Sequence, residues 1–398
     1  MSADLHEIYP TIVTINDFPC GSGKTTKMMQ SLKQRKLYLI VVNLKSEIKR
    51  VLENTSHINL HEPTASMTKF GTKKEALLKL VSESKSIVTT HKLYNDIGQL
   101  AALGLLQKYH VIIDEVPEVI TPIISLSKKS VDEFYISKGY LNVSDNGLCS
   151  PTDKWEHSLD DVSDTLNPHI KHHAEGHNLY LSKQGTFLNA VPKMLFYNCA
   201  SMTVLTYKSE GSYFLKYLDK LSVAYNVNCD RNLEKEFKAK AKALITFGET
   251  DVLKRINFTY SKQSKYGMCS KETKTVQSAL KNWRSRFLMG VPLENIMVTC
   301  AEINWRNPKA FKSNKLRLNG FSKGTGLGKV NWVANQTRRT NQYSHCSHLF
   351  YLYDKYPMPP ITQWLGSPTK EFSDAYALTE LIQWVWRSRI RNELPITL

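Results

Sequence analysis

The run Phe18-Pro19-Cys20-Gly21-Ser22-Gly23-Lys24-Thr25-Thr26 constrains this chain more than any other segment. Before it comes an apolar stretch, Ile12-Val13-Thr14-Ile15, that reads as a buried strand, and after it Lys27-Met28-Met29-Gln30-Ser31-Leu32 has helical composition. Strand, glycine-rich turn, Gly-Lys-Thr and helix in that order form a phosphate-binding loop. Gly21 and Gly23 let the backbone curl so that N–H groups converge on one anion, and the helix N-terminus adds partial positive charge. Residues Cys20 to Thr26 would line that anion, Lys24 would reach the β- and γ-phosphates, and the Thr25 hydroxyl would complete a Mg²⁺ shell. The bland alternative is a Gly-Ser turn with a chance Lys-Thr behind it. The flanking strand and helix favour a site for a nucleoside triphosphate.

The rest of the first half alternates short apolar runs with helical segments. Strands are expected at Thr11–Ile15, Leu37–Val42, Ser86–Thr89 and Val111–Ile113, with helices at Ser46–Glu53 and Lys74–Ser82. Such alternation implies an α/β chain whose parallel sheet is flanked by helices, with ligands at the carboxyl ends of its strands. Val111-Ile112-Ile113 runs into Asp114-Glu115, about ninety residues after the phosphate loop. The first acid would hold Mg²⁺ and the second would polarise an attacking water, which points to hydrolysis rather than simple phosphotransfer.

A polar segment at about 121–190 breaks the pattern and reads as an insertion. It carries the acids Asp160, Asp161 and Asp164 and the histidines His169, His172, His173 and His177. These histidines lack a second ligand pair and read as a solvated loop rather than a zinc site. Further strands are expected at Met194–Cys199, Ala243–Thr246, Asn295–Thr299 and His348–Tyr353, a helix at Ala375–Arg389, and the start of another strand at Pro395-Ile396-Thr397-Leu398. Asn319–Lys329 is rich in glycine and lysine, and within it Lys323–Lys329 reads as a flexible basic loop touching nucleic-acid backbone. Trp384 and Trp386 read as packing residues. His345-Cys346-Ser347-His348 reads as the turn into a strand.

Charge divides the chain. Residues 1–204 carry 22 Lys and Arg against 21 Asp and Glu, whereas residues 205–398 carry 31 against 15, so +16 of the net +17 lies in the second half. A basic half joined to a nucleotide-binding half implies a polyanionic partner. The seven scattered cysteines form no CxxC pair and suit a reducing cytosol. No stretch approaches the roughly eighteen apolar residues of a membrane span, and no signal peptide is visible, so a cytoplasmic location is expected.

The motifs and their order resemble a superfamily 2 helicase of the DEAD/DEAH type, in a phage- and prophage-encoded branch. Asp17 to Thr25 is similar to the first motif of that family, and Asp114-Glu115-Val116-Pro117 to its acid pair. The resemblance assigns nucleic-acid contacts to Asn43, which follows Ile40-Val41-Val42, and to Thr90 and His91, which follow Ser86-Ile87-Val88-Thr89. Ala200-Ser201-Met202-Thr203 is similar to the Ser-Ala-Thr element that couples the domains, with the order inverted. Thr340-Asn341-Gln342-Tyr343 resembles the fifth motif, which touches nucleic acid, and Gln383 to Arg391 resembles the sixth.

In the sixth motif Arg387 takes the first arginine's place, Ile390 the second's, and Arg391 sits one step late, still sharing a helical face with Arg387. The resemblance implies two RecA-like lobes, 1–205 (with the insertion) and 206–398, with the boundary falling within 205–235 and a nucleotide cleft between them. Its implied activity is an ATP- and Mg²⁺-dependent helicase or translocase on nucleic acid, DNA before RNA, working among replication or recombination proteins. Catalysis would use Lys24, Glu115, Gln383, Arg387 and Arg391, and Thr25 and Asp114 would hold the metal. The rival readings are a phosphate-loop kinase of a small substrate and a nucleic-acid-binding remodeller with weak ATPase.

Overall fold

The computed structural model describes residues 11–68, 71–123, 126–156, 168–248, 251–306, 320–335, 337 and 341–398. The chain forms two compact units. One is built mainly of residues up to 229 together with 357–372, and the other mainly of 230–356 and 373–398.

The first unit begins with five strands: β1 (Val13–Asp17), β2 (Leu37–Val42), β3 (Leu60–His61), β4 (Ser86–Thr90) and β5 (Tyr109–Asp114). Five more, β6 (Ile120–Pro122), β7 (Leu141–Val143), β8 (Cys149–Pro151), β9 (Leu179–Leu181) and β10 (Phe187–Ala190), belong to the insertion. Then come β11 (Ser201–Thr206) and β12 (Tyr225–Asn228). Seven strands make one sheet in the order β12-β1-β11-β5-β2-β4-β3, and every pairing is parallel.

A parallel sheet needs crossover helices on its faces, so its strands are buried on both sides and read as continuous apolar runs. Successive residues of β2 show this division. Leu39 and Val41 join the core on one face with Ile15, Ile113 and Val204, while Ile40 and Val42 join Met28, Ile48, Val88 and Ile112 on the other. The helices Lys45–Asn54 and Lys73–Ser82 supply part of that cover, and the Thr72 hydroxyl caps the second by accepting from the Glu75 N–H.

The Met194–Cys199 run is not a strand. Pro192 opens a short turn of helix, Lys193–Phe196, that drops Leu195 and Phe196 into the core, and the strand starts later, at Ser201. A short apolar run fits either element, and here tertiary packing decides.

The described residues of the insertion form a small folded layer. β6-β10-β9 form an antiparallel sheet, β7 and β8 pair antiparallel, and Tyr135, Leu141, Trp155, Ile170, Leu179 and Phe187 lie in a core of their own. His169, His172 and His173 sit on a helix, Pro168–Glu175, rather than on a loop. Asp160, Asp161 and Asp164 lie outside the described residues. Residues 357–372 complete this unit. The helix Pro359–Trp364 seats Ile361 in the main core, and the Trp364 ring lies 4.8 Å from Tyr180 of β9, with the Lys220 amine 4.5 Å from its centroid.

In the second unit, strands β13 (Ile245–Thr246), β14 (Ile296–Thr299), β15 (Asn331–Trp332), β16 (His348–Tyr351) and β17 (Ile396–Thr397) form a second all-parallel sheet, β13-β17-β16-β14-β15. Ile296 and Val298 face one core and Met297 and Leu349 the other. Several ranges shift from the expected ones, the strand beginning at His348 ending at Tyr351. The helix Arg231–Leu244 takes up Ala243 and Leu244, and the C-terminal helix is Lys370–Val385, ending before Arg387.

Within the glycine- and lysine-rich stretch, buried residues alternate with exposed ones such as Lys323 and Lys329. Phe321, Ser322, Thr325 and Leu327 are buried, Gln277 donates to the Gly320 carbonyl at 2.7 Å, and the Thr325 hydroxyl bonds the Ser322 carbonyl at 2.8 Å. Gly320 has φ +45, and a Cβ there would stand 2.8 Å from the Asn304 carbonyl oxygen. Trp384 is fully buried with its ring N–H on the Val333 carbonyl, and Trp386 stacks 4.4 Å from Phe237, so both are packing residues. Among the described residues no helix is long and apolar enough to cross a membrane.

Candidate nucleotide site

Because the first sheet is all parallel, Asp17, Val42, Thr90, Asp114 and Thr206 reach the same edge. Register fixes this closely: Asp17 lies opposite Thr206, Leu205 opposite Asp114, and Val42 opposite Thr90. The phosphate loop leaves that edge after β1. Gly21 and Gly23 take φ +80 and +75, a conformation glycine adopts without strain, and a Cβ at either would meet nothing within 4 Å. Gly23 then caps the helix Lys24–Ser31. The Lys24 amine lies on the Phe18 carbonyl of its own loop at 2.7 Å, and the Ser22 hydroxyl oxygen is buried with no hydrogen-bond partner among the described residues. A left-handed glycine turn, a helix N-terminus and a lysine are features that suit an anionic triphosphate.

The Thr25 hydroxyl donates to the Asp114 carboxylate at 3.1 Å, so the loop and the end of β5 meet. Hydroxyl and carboxylate are hard oxygen ligands of the kind Mg²⁺ takes. Glu115 follows in the left-handed region, φ 73, with its N–H on the Leu205 carbonyl at 2.8 Å. A non-glycine residue there is strained, and such strain gathers where a side chain must be aimed. The structure thus brings Lys24, Thr25, Asp114 and Glu115 together at one sheet edge.

His91 opens the short helix His91–Asn95 at this edge, and its ring Nε2 lies 3.1 Å from the Asp114 carbonyl oxygen, beside the acid pair. Asn43, just beyond β2, and Thr90 are half-buried at the same edge. Ser201 opens β11. It pairs with His110 at the start of β5, with the Ser201 hydroxyl 2.7 Å from the His110 ring, at the edge opposite the phosphate loop.

The residues at the carboxyl end of β11, beside the phosphate loop, are ones sequence reasoning passed over. The Phe18 N–H donates to the Thr206 carbonyl at 3.0 Å. The Asp17 carboxylate accepts from the Lys208 N–H at 2.7 Å, the Ser209 N–H at 2.8 Å and the Ser209 hydroxyl at 2.6 Å. The available signal was the one that revealed Asp114-Glu115: the apolar run Met202–Leu205 gives way to polar residues five positions after Ser201.

Within the second unit, Arg387 follows the helix end in a turn and is only 5% exposed. Its N–H bonds the Trp384 carbonyl at 3.2 Å. Arg391 lies on a separate turn of 3₁₀ helix, Arg389–Asn392, so the two arginines do not share one α-helical face. The helix stops because the Ser388 hydroxyl takes the Val385 carbonyl and the Arg389 N–H bonds the Cys346 carbonyl instead. Arg391 is exposed and donates to the Asn341 side-chain oxygen, so two sequence-selected residues do meet. Gln383 is half-buried on the last turns of the helix, and Thr340 lies outside the described residues. His345 and Cys346 both bond the Glu294 carbonyl, fixing the turn into β16, and burial pushes the Cys346 thiol up to about 11.

Residues 238–398 match the family model of the YonV C-terminal Rossmann-like domain. The chain is similar to the SPbeta prophage-derived uncharacterized protein YonV of Bacillus subtilis (strain 168), at 26% identity over 97% of this chain and 95% of that protein. Among solved structures it is similar to an apo XPD at 14% identity, covering 98% of this chain and 92% of that one with a TM-score of 0.49. It is also similar to S. tokodaii Xpd4, at 12% identity over 98% and 91% with a TM-score of 0.46.

Proposed function

We propose that the chain is an ATP-hydrolysing nucleic-acid motor, a helicase or translocase of the superfamily 2 DEAD/DEAH kind. The observation that carries this reading is the Thr25–Asp114 hydrogen bond at the carboxyl edge of a parallel sheet, with Glu115 strained beside it. Lys24 and the loop N–H groups bind the phosphates, Thr25 and Asp114 hold Mg²⁺, and Glu115 takes the proton of the attacking water. Arg387 is the proposed partner of charge developing on the γ-phosphate, with Gln383 and Arg391 beside it in sequence.

The +16 of residues 205–398 gives the second half the task of holding the phosphates of a strand, DNA before RNA, in which Asn341, Asn43 and Thr90 take part. The similarity to a prophage-derived protein supports a phage setting, and replication or recombination proteins in the bacterial cytoplasm are the fitting company. The test is phosphate release from ATP with and without single-stranded DNA. Stimulation that disappears in Lys24→Ala supports the motor. Turnover indifferent to DNA and RNA, but stimulated by a small hydroxyl acceptor, would convert the reading to a kinase.

A further inference from the structure

The carboxyl end of β11 lies between the two halves of the nucleotide site. Its Leu205 carbonyl holds the Glu115 N–H and its Thr206 carbonyl holds the Phe18 N–H, so one strand end bonds both the acid pair and the start of the phosphate loop. Beyond Thr206 the chain makes a turn that its own sequence disfavours. Lys208 adopts φ 59 and ψ 51, a left-handed conformation at a side chain with a Cβ. Something outside the turn must hold it, and Asp17 does. One carboxylate oxygen accepts from the Lys208 N–H, and the other from both the N–H and the hydroxyl of Ser209, across 191 and 192 residues of sequence. All three donors converge on the one carboxylate group.

We infer that Asp17 is a positioning residue of this site: it latches the Lys208–Ser209 turn and thereby locks β11 in the place from which it ties the phosphate loop to Glu115. This rests on the nucleotide reading above and deepens it, by giving the coupling role to 205–209 rather than to Ser201. The latch requires a carboxylate. In Asp17→Asn one side-chain atom becomes an NH₂ that meets an N–H or O–H donor whichever way the amide is turned, so at least one bond is lost while shape is kept.

The test combines hydrogen exchange with kinetics on the full chain. In Asp17→Asn the Lys208 and Ser209 amides should lose protection by about tenfold or more, as expected when their acceptor is gone. ATPγS affinity should stay within about threefold, while DNA-stimulated kcat falls by about tenfold, the split expected of a group that aligns rather than binds. Ser209→Ala, which removes one bond of three, should give the same pattern in weaker form.

Lost protection with unchanged kcat would overturn the inference, because the turn would then be scaffold alone. Loss of ATPγS binding equal to that of Lys24→Ala would overturn it too, because Asp17 would then merely support the loop. Wild-type protein that binds no ATPγS is a different result: it sinks the nucleotide reading itself, and the inference with it.

Discussion

The Thr25 hydroxyl and the Asp114 carboxylate, 89 residues apart in sequence, are joined at 3.1 Å by the parallel register of the sheet. β11 stands between β1 and β5, so the loop after β1 must lean across one strand to reach Asp114. That contact makes a testable statement about energy. Two groups that act as one unit give non-additive losses. Thr25→Ala and Asp114→Asn should each cut kcat/KM for ATP by about a hundredfold or more, and the double variant should lose little beyond either. Losses that multiply across the two variants would mean the residues act apart.

Glu115 offers a separation of strain from chemistry. Its φ of 73 is left-handed, and a Cβ in that region costs about 1–2 kcal/mol relative to glycine. Glu115→Ala and Glu115→Gly both remove the carboxylate and should both abolish ATP turnover. The glycine variant should nevertheless be the more stable of the two by about 1 kcal/mol, read from urea midpoints at equal m. If alanine is as stable as glycine, the backbone is not strained there, and the argument that strain aims this side chain fails.

Much of this edge was legible in sequence because buried parallel strands write continuous apolar runs. Leu37–Val42 matches its strand residue for residue, and β4 and β5 begin or end within two residues of expectation. What stayed hidden depends on pairs far apart. No local pattern reports that Asp17 accepts from Ser209, nor that Ser201 opens β11 at the edge opposite the phosphate loop. Arg387 and Arg391 look like one helical face until the Cys346 carbonyl takes the Arg389 N–H and ends that option. The insertion looked polar because its core is small: Tyr135, Trp155 and Phe187 are dispersed among charges, and only folding gathers them, with ring centroids 5.4 and 5.7 Å apart.

Salt should report the basic half. If residues 205–398 hold a strand by its phosphates, the logarithm of affinity for single-stranded DNA falls linearly with the logarithm of salt, with a slope of about −0.7 per phosphate neutralised. The helix Arg231–Leu244 exposes Lys235 and Lys242 on the side away from Phe237 and Leu244. Replacing both by Glu should lower affinity across all sequences alike and make the slope shallower by about 1 or more. An unchanged slope measured by fluorescence anisotropy would remove this helix from the binding surface.

Acid should loosen the insertion before the main sheet. His173 lies half-buried on the helix Pro168–Glu175 with its Nε2 3.3 Å from the Asn189 side chain. Burial holds its pKa below the ordinary value of 6.5, and the neighbouring His172 and His169 push the same way, against an opposing pull from Asp96. The sign follows from linkage. The unfolded chain binds the proton more readily than the folded one, so stability is full above about pH 6.5 and is lost as pH falls from there through the lower folded value. Between pH 7.5 and 5, protection in 168–190, corrected for intrinsic exchange, should therefore fall ahead of protection in β1 and β2. His173→Gln, which keeps a polar side chain of similar size but cannot take up the proton, should flatten that difference. A protection loss of the same size in the variant would assign the acid sensitivity to another group.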